Sequence, residues 1–447
     1  MIHQRISSKR IGEYLSSLEG NENLNPEQKS IVREIDRLHR RAITVPEELV
    51  RKISKTASIA QKKWAKARKK DDFEIFKPSL DSLISLKKEE AEHIGYDERP
   101  YDALLDDYEP YAKTREVSQI LDGLKVKMKP IIERIIGSGV VIDTSPVESN
   151  FDTRKQKRFC ISILEDMGYD FNRGRLDETI HPFTTGSDLD VRITTRYSDG
   201  IKIALFSCIH EGGHALYEQG YLEKNYETPL GEAVSFGIHE SQSRMWENMI
   251  GRSLPFWEHY REPFILNFPF MDRFTTAEIH RMFNVVKPSF VRVESDEVTY
   301  NMHVLIRFEI EKEIFSGNMD VADIPQEWNT RMEKYLGVEI PNNRLGCLQD
   351  IHWSMGAFGY FPTYTLGNLY AAQFLDSMKS DIPDLDDRIR GGDLGSILEW
   401  LRENIHQYGK RYKAEELIEK VSGKTPSEEH FVNYIRKKYS KIYDTGL

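Results

Sequence analysis

The segment SCIHEGGHALYEQG, residues 207–220, limits what this chain can fold into. It places His210 and His214 four residues apart, with Glu211 directly after the first histidine. Residues i and i+4 lie on one face of an α-helix, so both imidazoles can point at a single zinc ion. Glu211 is rotated by about 100° from His210 and can flank the metal as a base. The competing interpretation is a histidine pair on a partly buried helix with no metal.

A zinc hydrolase site needs a third protein ligand and leaves a fourth position for water. The segment at residues 229–251, PLGEAVSFGIHESQSRMWENMIG, has the apolar spacing of a core-facing helix. Its Glu240 lies 26 residues after His214, which allows a loop and an antiparallel helix to bring the carboxylate to the metal. By spacing alone, Glu232 and Glu247 compete with Glu240 for this role.

Two glycines interrupt the predicted metal-binding helix. Gly212 and Gly213 each cost roughly 1 kcal/mol relative to alanine in a helix interior. That loss is tolerable if another backbone, or a substrate, must approach this face of the helix closely. We therefore expect a close approach at these glycines.

Most of the chain has helical periodicity, with a strand just before the motif. From Asp190 to Tyr197 the residues alternate between apolar and polar, which predicts a half-buried strand. Such a strand could pair with an extended peptide, or could be an ordinary structural strand. The sequence therefore predicts a mainly α-helical protein with one small β-sheet.

Composition excludes some functional classes. The net charge is −10, so general nucleic-acid binding is not expected, and the basic stretch at residues 62–70 is predicted to be a solvated helix face. No apolar run approaches the roughly 18 residues of a membrane span, and the N-terminus shows no secretion signal. The three cysteines have no paired spacing. These features predict a cytoplasmic protein with no nucleic-acid or membrane partner.

Several further motifs, in a fixed order, are similar to those of one peptidase family. They are YDALLDDYEP (101–110), HPF (181–183), DVRIT (190–194), HESQ (239–242), VRVESD (291–296), GCLQDIHW (346–353) and GYFPTYTLGN (359–368). Together with HEGGH they resemble the carboxypeptidase Taq metallocarboxypeptidases, the M32 peptidases. VRVESD departs from the family pattern I-R-x-x-A-D at two positions but keeps Arg292 and Asp296.

The resemblance implies a fold and an activity. The fold would be a large, mainly α-helical, saddle-like body with a deep active-site groove and one small β-sheet, related to neurolysin and angiotensin-converting enzyme. Residues 1–447 would form a single domain, with N-terminal helices in 1–135 walling the groove and the catalytic portion in 136–447. Family members are usually cytoplasmic homodimers that remove C-terminal residues from peptides one at a time. Their specificity is broad, with poor action on a C-terminal proline.

The resemblance also assigns the metal site. His210, His214 and Glu240 would bind one metal ion, usually zinc and often replaceable by cobalt, and Glu211 would be the general base. His181 and His239 would line the groove or support the ligands.

The developing oxyanion needs hydrogen-bond donors. His352 and Tyr364 are the residues expected to supply them, with Tyr360 as the rival tyrosine. Packing in an aromatic core is the alternative role for each tyrosine.

A carboxypeptidase must also hold the terminal carboxylate of its peptide, and an arginine fork suits this. Arg344 is the first candidate for that clamp. Arg292 is the second, unless it forms a structural ion pair with Asp296. Cleavage inside short peptides by the same metal chemistry is the alternative activity. A non-catalytic scaffold with a structural zinc is a further alternative, which would need four protein ligands and no base.

Overall fold

The computed structural model describes residues 2–148, 150–187, 189–198 and 200–447. The chain forms two compact units, each built from two separate segments. The first unit comprises residues 1–129 and 287–365, and the second comprises residues 130–286 and 366–447. Residues 287–365 therefore pack with the N-terminal helices, which the sequence did not indicate. The predicted division at residue 135, with a groove wall before it, stays a prediction.

The described residues are mainly helical, as the sequence predicts, and none of their helices is both long and apolar enough to cross a membrane. The α-helices in chain order are α1 (Ile2–Ile6), α2 (Lys9–Leu18), α3 (Pro26–Thr44), α4 (Glu47–Lys70), α5 (Lys77–Ile94), α6 (Pro100–Leu105), α7 (Thr114–Ile136), α8 (Ser145–Glu148), α9 (Thr153–Met167), α10 (Ile201–Glu218), α11 (Phe236–Arg244), α12 (Leu254–Asn267), α13 (Thr276–Phe283), α14 (Tyr300–Ser316), α15 (Ile324–Leu336), α16 (Pro362–Asp381), α17 (Leu385–Gly391), α18 (Gly395–Asn404), α19 (Ala414–Ser422) and α20 (Glu429–Ile442). Directly after α11, residues Met245–Ile250 form a π-helical turn.

One small sheet lies in the second unit, with β1 at Leu176–Glu178, β2 at Thr184–Ser187 and β3 at Asp190–Thr195. Its strand order is β1-β3-β2, with β1 parallel and β2 antiparallel to β3. The predicted alternation holds from Asp190 to Ile193, where Val191 and Ile193 are buried and Asp190 and Arg192 are exposed. It ends there, because Thr194, predicted on the polar face, is buried together with Thr195. The expected small sheet is thereby confirmed.

The idea that β3 pairs with an extended peptide is wrong. Both of its edges are already occupied, by β1 on one side and β2 on the other. Among the described strands, β2 lies at an edge of the sheet and is mostly exposed. An extended peptide adding a strand here would have to pair with an outer strand rather than with β3.

Helix α10 forms the centre of the second unit. It is buried around most of its circumference, which fits its mostly apolar sequence between Ile203 and Ile209. It packs against α9, α11 and β3. This packing fixes the residues of the HEGGH motif between a neighbouring helix and the sheet.

The expected close approach occurs at Gly213. A Cβ atom there would lie 2.7 Å from Ser243 Cα and 2.8 Å from the main-chain oxygen of Gln242. The backbone of α11 therefore comes within contact distance of α10 at this glycine. At Gly212 a Cβ would meet only side-chain atoms, 2.6 Å from Leu164 Cδ2 and 3.2 Å from Met167 Cε.

We expect Gly213→Ala to destabilise the metal-free protein by about 1–3 kcal/mol, because a backbone cannot yield as a side chain can. We also expect it to weaken metal binding at the predicted site at least about tenfold, since Glu240 on the displaced α11 moves away from α10. Urea unfolding and chelator competition measure the two effects. Gly212→Ala is the matched control and should change both less, and equal effects of the two substitutions would contradict this account.

Candidate active site

Three side chains of the second unit converge on one point. His210 and His214 come from α10 and Glu240 comes from α11, and their candidate ligand atoms all lie within 4.8 Å of one another. Glu240 Oε2 is 3.6 Å from His210 Nε2 and 3.3 Å from His214 Nε2. Two imidazole nitrogens and one carboxylate oxygen form a donor set that suits zinc. The structure thus brings together the three residues that the sequence predicts as ligands.

The Glu240 carboxylate is oriented by neighbours on its own helix. Arg244 Nε donates to its Oε1 at 2.6 Å, which leaves Oε2 facing the two histidines. Burial raises the pKa of Glu240, but Arg244 and the histidines outweigh it and hold the pKa well below its usual range. Gly367 leaves the room for this side chain, since a Cβ there would lie 2.6 Å from Glu240 Cγ. Glu240 therefore remains ionised, and its Oε2, which also accepts a hydrogen bond from Ser243 Oγ at 3.1 Å, faces the two histidines.

The two competing glutamates have other roles. Glu247 lies on the π-helical turn, and its Oε2 is 2.9 Å from His210 Nδ1, the nitrogen that does not face Glu240. Arg252 donates to the other oxygen of Glu247 at 3.0 Å. Glu232 is exposed and forms an ion pair with Lys410. Glu247 thus contacts the ring nitrogen of the candidate ligand His210 that faces away from Glu240, a position typical of a carboxylate behind a metal-binding histidine.

Glu211 is buried beside the cluster and is held by the sheet. The hydroxyl of Thr184, at the start of β2, lies 2.7 Å from Glu211 Oε2 and 3.0 Å from its main-chain oxygen. Burial raises the pKa of Glu211, with the charge of His210 acting in the opposite direction. A carboxylate with a raised pKa beside a metal site suits proton transfer. The contact from Thr184 was missed, although this residue directly follows the HPF motif.

The two other histidines named from the sequence differ in position. His239 on α11 lies with its Nδ1 2.6 Å from His214 Nδ1, so it contacts a candidate ligand directly. His181 is exposed, in the segment between β1 and β2. No hydrogen bond joins His181 to the cluster among the described residues, and its role stays a prediction.

The expected oxyanion donors lie together in the first unit. His352 Nε2 is 3.2 Å from the Tyr364 hydroxyl, and the His352 and Tyr360 ring centroids are 5.2 Å apart. Burial lowers the pKa of His352 to about 4, although Asp350 acts in the opposite direction. The imidazole is therefore neutral near pH 7. A neutral imidazole and a phenol are both available as hydrogen-bond donors.

The predicted pairing of Arg292 with Asp296 is wrong. Arg292 is buried and donates to Asp350 Oδ1 at 2.9 Å and to the Tyr300 hydroxyl at 2.7 Å. Asp296 instead accepts main-chain N–H groups just before α14, from Val298 at 2.9 Å and Thr299 at 3.0 Å. The ion pair predicted from the i,i+4 spacing does not form, because the segment from Arg292 to Asp296 is not an α-helix. The guanidinium of Arg292 is occupied inside the unit, which makes it a poor clamp for a substrate.

Arg344 has the opposite character. Its side chain is exposed and forms no hydrogen bond or ion pair with the described residues. Its main-chain N–H donates to Asp71 Oδ1 at 2.8 Å, and Asp71 ends α4 in a left-handed conformation. The backbone at Arg344 is thus fixed by Asp71, while the guanidinium of Arg344 remains available for a ligand.

A buried carboxylate that the sequence did not reveal anchors the loop after His352. Glu311 on α14 accepts hydrogen bonds from Trp353 Nε1 at 2.7 Å, Gly359 N at 2.9 Å and the Tyr101 hydroxyl at 2.6 Å. Trp353 and Gly359 are the first and last residues of the loop between His352 and Tyr360. One carboxylate therefore fixes both ends of the segment that bears the candidate donors.

This anchor predicts a pH effect on stability. Burial raises the pKa of Glu311 from 4.5 to about 7, although the three donors act in the opposite direction. Between those values only the folded state retains the proton, so the stabilisation is complete below pH 4.5 and is lost as pH rises through 7. Relative to Glu311→Gln, the wild type should lose about 2–3 kcal/mol of unfolding free energy between pH 5 and pH 8. Urea unfolding at both pH values measures this, and parallel changes in the two proteins would contradict it.

Comparison with known proteins gives matches over almost the whole chain. The family model described as carboxypeptidase Taq (M32) metallopeptidase matches residues 1–439. Thermostable carboxypeptidase 1 of Pyrococcus furiosus is 42% identical over 441 residues, covering 98% of this chain and 88% of that protein. Carboxypeptidase 1 of Bacillus subtilis is 41% identical over 403 residues, covering 89% of this chain and 80% of that protein.

Solved structures give the same result. A structure of the Pyrococcus furiosus carboxypeptidase superimposes with a TM-score of 0.95 at 42% identity, covering 98% of this chain and 89% of that one. The M32 carboxypeptidase of Deinococcus radiodurans R1 superimposes with a TM-score of 0.96 at 35% identity, covering 99% of this chain and 90% of that one.

Proposed function

Because the chain belongs to the carboxypeptidase Taq (M32) family and is a metallocarboxypeptidase, we propose that it uses zinc to release C-terminal amino acids from peptides one at a time. The observation that supports zinc most directly is the convergence of two imidazole nitrogens and one carboxylate oxygen within 4.8 Å. Three ligands with a glutamate beside them leave a position open, as catalytic zinc sites do. The structural-zinc alternative would need a fourth ligand and has no use for that glutamate.

We propose that Glu211 is the general base. A bound zinc would supply Lewis-acid activation of water and of the scissile carbonyl. Thr184 holds Oε2 of Glu211, so the carboxylate accepts the proton of the attacking water at Oε1 and returns it to the leaving amine. Burial raises the pKa of Glu211, which makes its carboxylate a stronger base for the proton of the attacking water.

The pair formed by His352 and Tyr364 is proposed to donate hydrogen bonds to the developing oxyanion. The 3.2 Å contact between their side chains and the neutral state of His352 support this assignment. Tyr364→Phe should therefore lower kcat by about 10²–10³-fold while zinc content stays unchanged. Steady-state kinetics with metal analysis tests it, and Tyr360→Phe is the comparison. If kcat falls more in Tyr360→Phe than in Tyr364→Phe, Tyr360 rather than Tyr364 donates the hydrogen bond to the oxyanion.

Arg344 is proposed as the clamp for the terminal carboxylate. Its exposed and uncommitted guanidinium supports the choice, because the fork of Arg292 is already used by Asp350 and Tyr300. A fork that grips both carboxylate oxygens distinguishes a free C-terminus from an internal peptide bond. Arg344→Gln should raise KM more than it lowers kcat, because the clamp binds a part of the peptide that does not react.

Other features of the proposal rest on the family alone. They are broad side-chain specificity with poor action on C-terminal proline, cobalt as a substitute metal, a homodimeric assembly and a cytoplasmic location. Peptides are the proposed substrates, with no nucleic-acid or membrane partner.

Two peptides of one mixed sequence test the activity. One has a blocked N-terminus and a free C-terminus, and the other has an amidated C-terminus. We expect the blocked peptide to shorten stepwise from its C-terminus, the amidated one to survive, and a chelator to stop the reaction, all followed by mass spectrometry. Internal cleavage of both peptides would contradict the carboxypeptidase assignment and the Arg344 clamp while leaving the metal chemistry intact.

A further inference from the structure

Helix α11 contacts both ring nitrogens of His214. Glu240 Oε2 lies 3.3 Å from Nε2, and the preceding residue, His239, places its Nδ1 2.6 Å from Nδ1. The two neighbours in the HESQ motif thus bracket one imidazole.

His239 is itself held by a carboxylate. Its Nε2 lies 2.8 Å from Oε1 of Glu218, the residue that ends α10. Glu218 is only 15% exposed, and the Tyr221 hydroxyl also lies 3.4 Å from its Oε1. The Tyr217 ring packs against His239 with centroids 5.4 Å apart. The contact between His239 and Glu218 is therefore fixed by its surroundings.

The directions of the hydrogen bonds that link His214, His239 and Glu218 follow from which ring nitrogen of His214 faces the metal. If Nε2 of His214 faces a metal, its Nδ1 must carry the proton and donate to Nδ1 of His239. The remaining proton of His239 then lies on Nε2 and is donated to Glu218. Each hydrogen bond fixes the tautomer of the next ring.

Resting on the proposed zinc function, we propose that Glu218 and His239 form a positioning relay that holds the His214 ring in its metal-binding tautomer and orientation. Neither residue is a ligand or a catalytic residue in this assignment. The two ligand histidines then have different supports: Glu247 contacts His210 directly, whereas Glu218 acts on His214 through a second imidazole. Outer contacts of this kind commonly contribute 10–100-fold to metal affinity.

The relay has a sequence signal. His210, His214 and Glu218 follow each other at intervals of four residues, so all three lie along one stripe of α10. A carboxylate one turn beyond the second histidine is placed on the face that bears the metal site.

The test compares two substitutions of Glu218 by zinc affinity, measured in competition with a chromophoric chelator. Glu218→Leu removes the acceptor and should weaken zinc binding about 10–100-fold. Glu218→Gln keeps an oxygen acceptor for His239 and should stay within about threefold of wild type. The visible spectrum of the cobalt-loaded proteins reports the coordination geometry and should change in the leucine variant only. Asp376→Leu is the control, because Asp376 Oδ2 lies 2.6 Å from His430 Nδ1, away from the ligands.

The outcomes separate the relay from the function. If Glu218→Leu binds zinc as tightly as wild type and lowers only the melting temperature of the metal-free protein, Glu218 is structural and the relay is overturned. If the glutamine variant loses as much affinity as the leucine variant, the accepted hydrogen bond is not what matters and the relay is again overturned. Both results leave the proposed function standing, provided that wild type binds one zinc. A wild-type protein without stoichiometric zinc would overturn both.

Discussion

Replacing Glu211 by glutamine is expected to leave zinc bound and to lower kcat on the order of 10²–10⁴-fold, the range that positioned proton transfer contributes. Glutamine has the volume of glutamate and can keep the contact with Thr184, which lies 2.7 Å from Oε2 in the wild type. It cannot accept the proton of the attacking water. The loss should therefore appear in kcat, with KM little changed.

Metal analysis and steady-state kinetics on the same samples distinguish loss of the base from loss of the metal. Glu232→Gln is the matched control, because Glu232 is exposed and paired with Lys410 outside the cluster. Undiminished peptidase activity in Glu211→Gln with zinc bound would contradict the assigned base. Loss of zinc in that variant would instead make Glu211 part of the metal site.

The second large effect is expected on stability. Asp350→Asn should lower the free energy of unfolding by about 3–5 kcal/mol. Asp350 accepts hydrogen bonds from Arg292 at 2.9 Å and from Arg307 Nε at 2.7 Å, and both arginines are buried. The two guanidinium groups hold the pKa of Asp350 well below its usual range, despite burial. An amide in its place leaves two buried positive charges without a counter-charge.

Urea unfolding at pH 7 measures this difference. Asp36→Asn in the same unit is the control, since Asp36 pairs with Arg40 on the surface at 2.7 Å and should contribute little. Equal stabilities of the Asp350 and Asp36 variants would contradict the view that the Asp350 cluster stabilises the first unit. Because Asp350 lies two residues before His352, the Asp350 variant should also lose activity more steeply on warming.

The sequence predicted the parts of the site that depend on local periodicity. The i,i+4 spacing placed His210 and His214 on one helix face. The downstream helical pattern allowed Glu240 to lie opposite them but left Glu232 and Glu247 open, and the family resemblance selected Glu240. Alternation along 190–195 predicted β3 and its buried face, because side chains alternate by geometry alone. The mainly helical fold with one small sheet was also predicted from local periodicity, and the structure confirms it.

Contacts between distant segments could not be predicted. Alternation shows which face of β3 is buried but not which strands flank it, so the idea of peptide pairing at β3 failed. The true partner of Arg292 lies 58 residues away at Asp350, and no local rule finds it. Thr184 and Glu311 were missed because their partners are also distant. Glu218 is different, since its i+4 position after His214 was visible and only its role was not.

The measurement that tests the central claim most directly is a zinc titration of the metal-free protein, followed by peptidase activity on the peptide with a free C-terminus. The account predicts that activity is absent without metal, rises in proportion to added zinc and levels at one zinc per chain. His210, His214 and Glu240 form one site, so further zinc should add nothing. Full activity in the presence of chelator, or no activity at any zinc concentration, would contradict the assignment of this cluster as the catalytic metal centre.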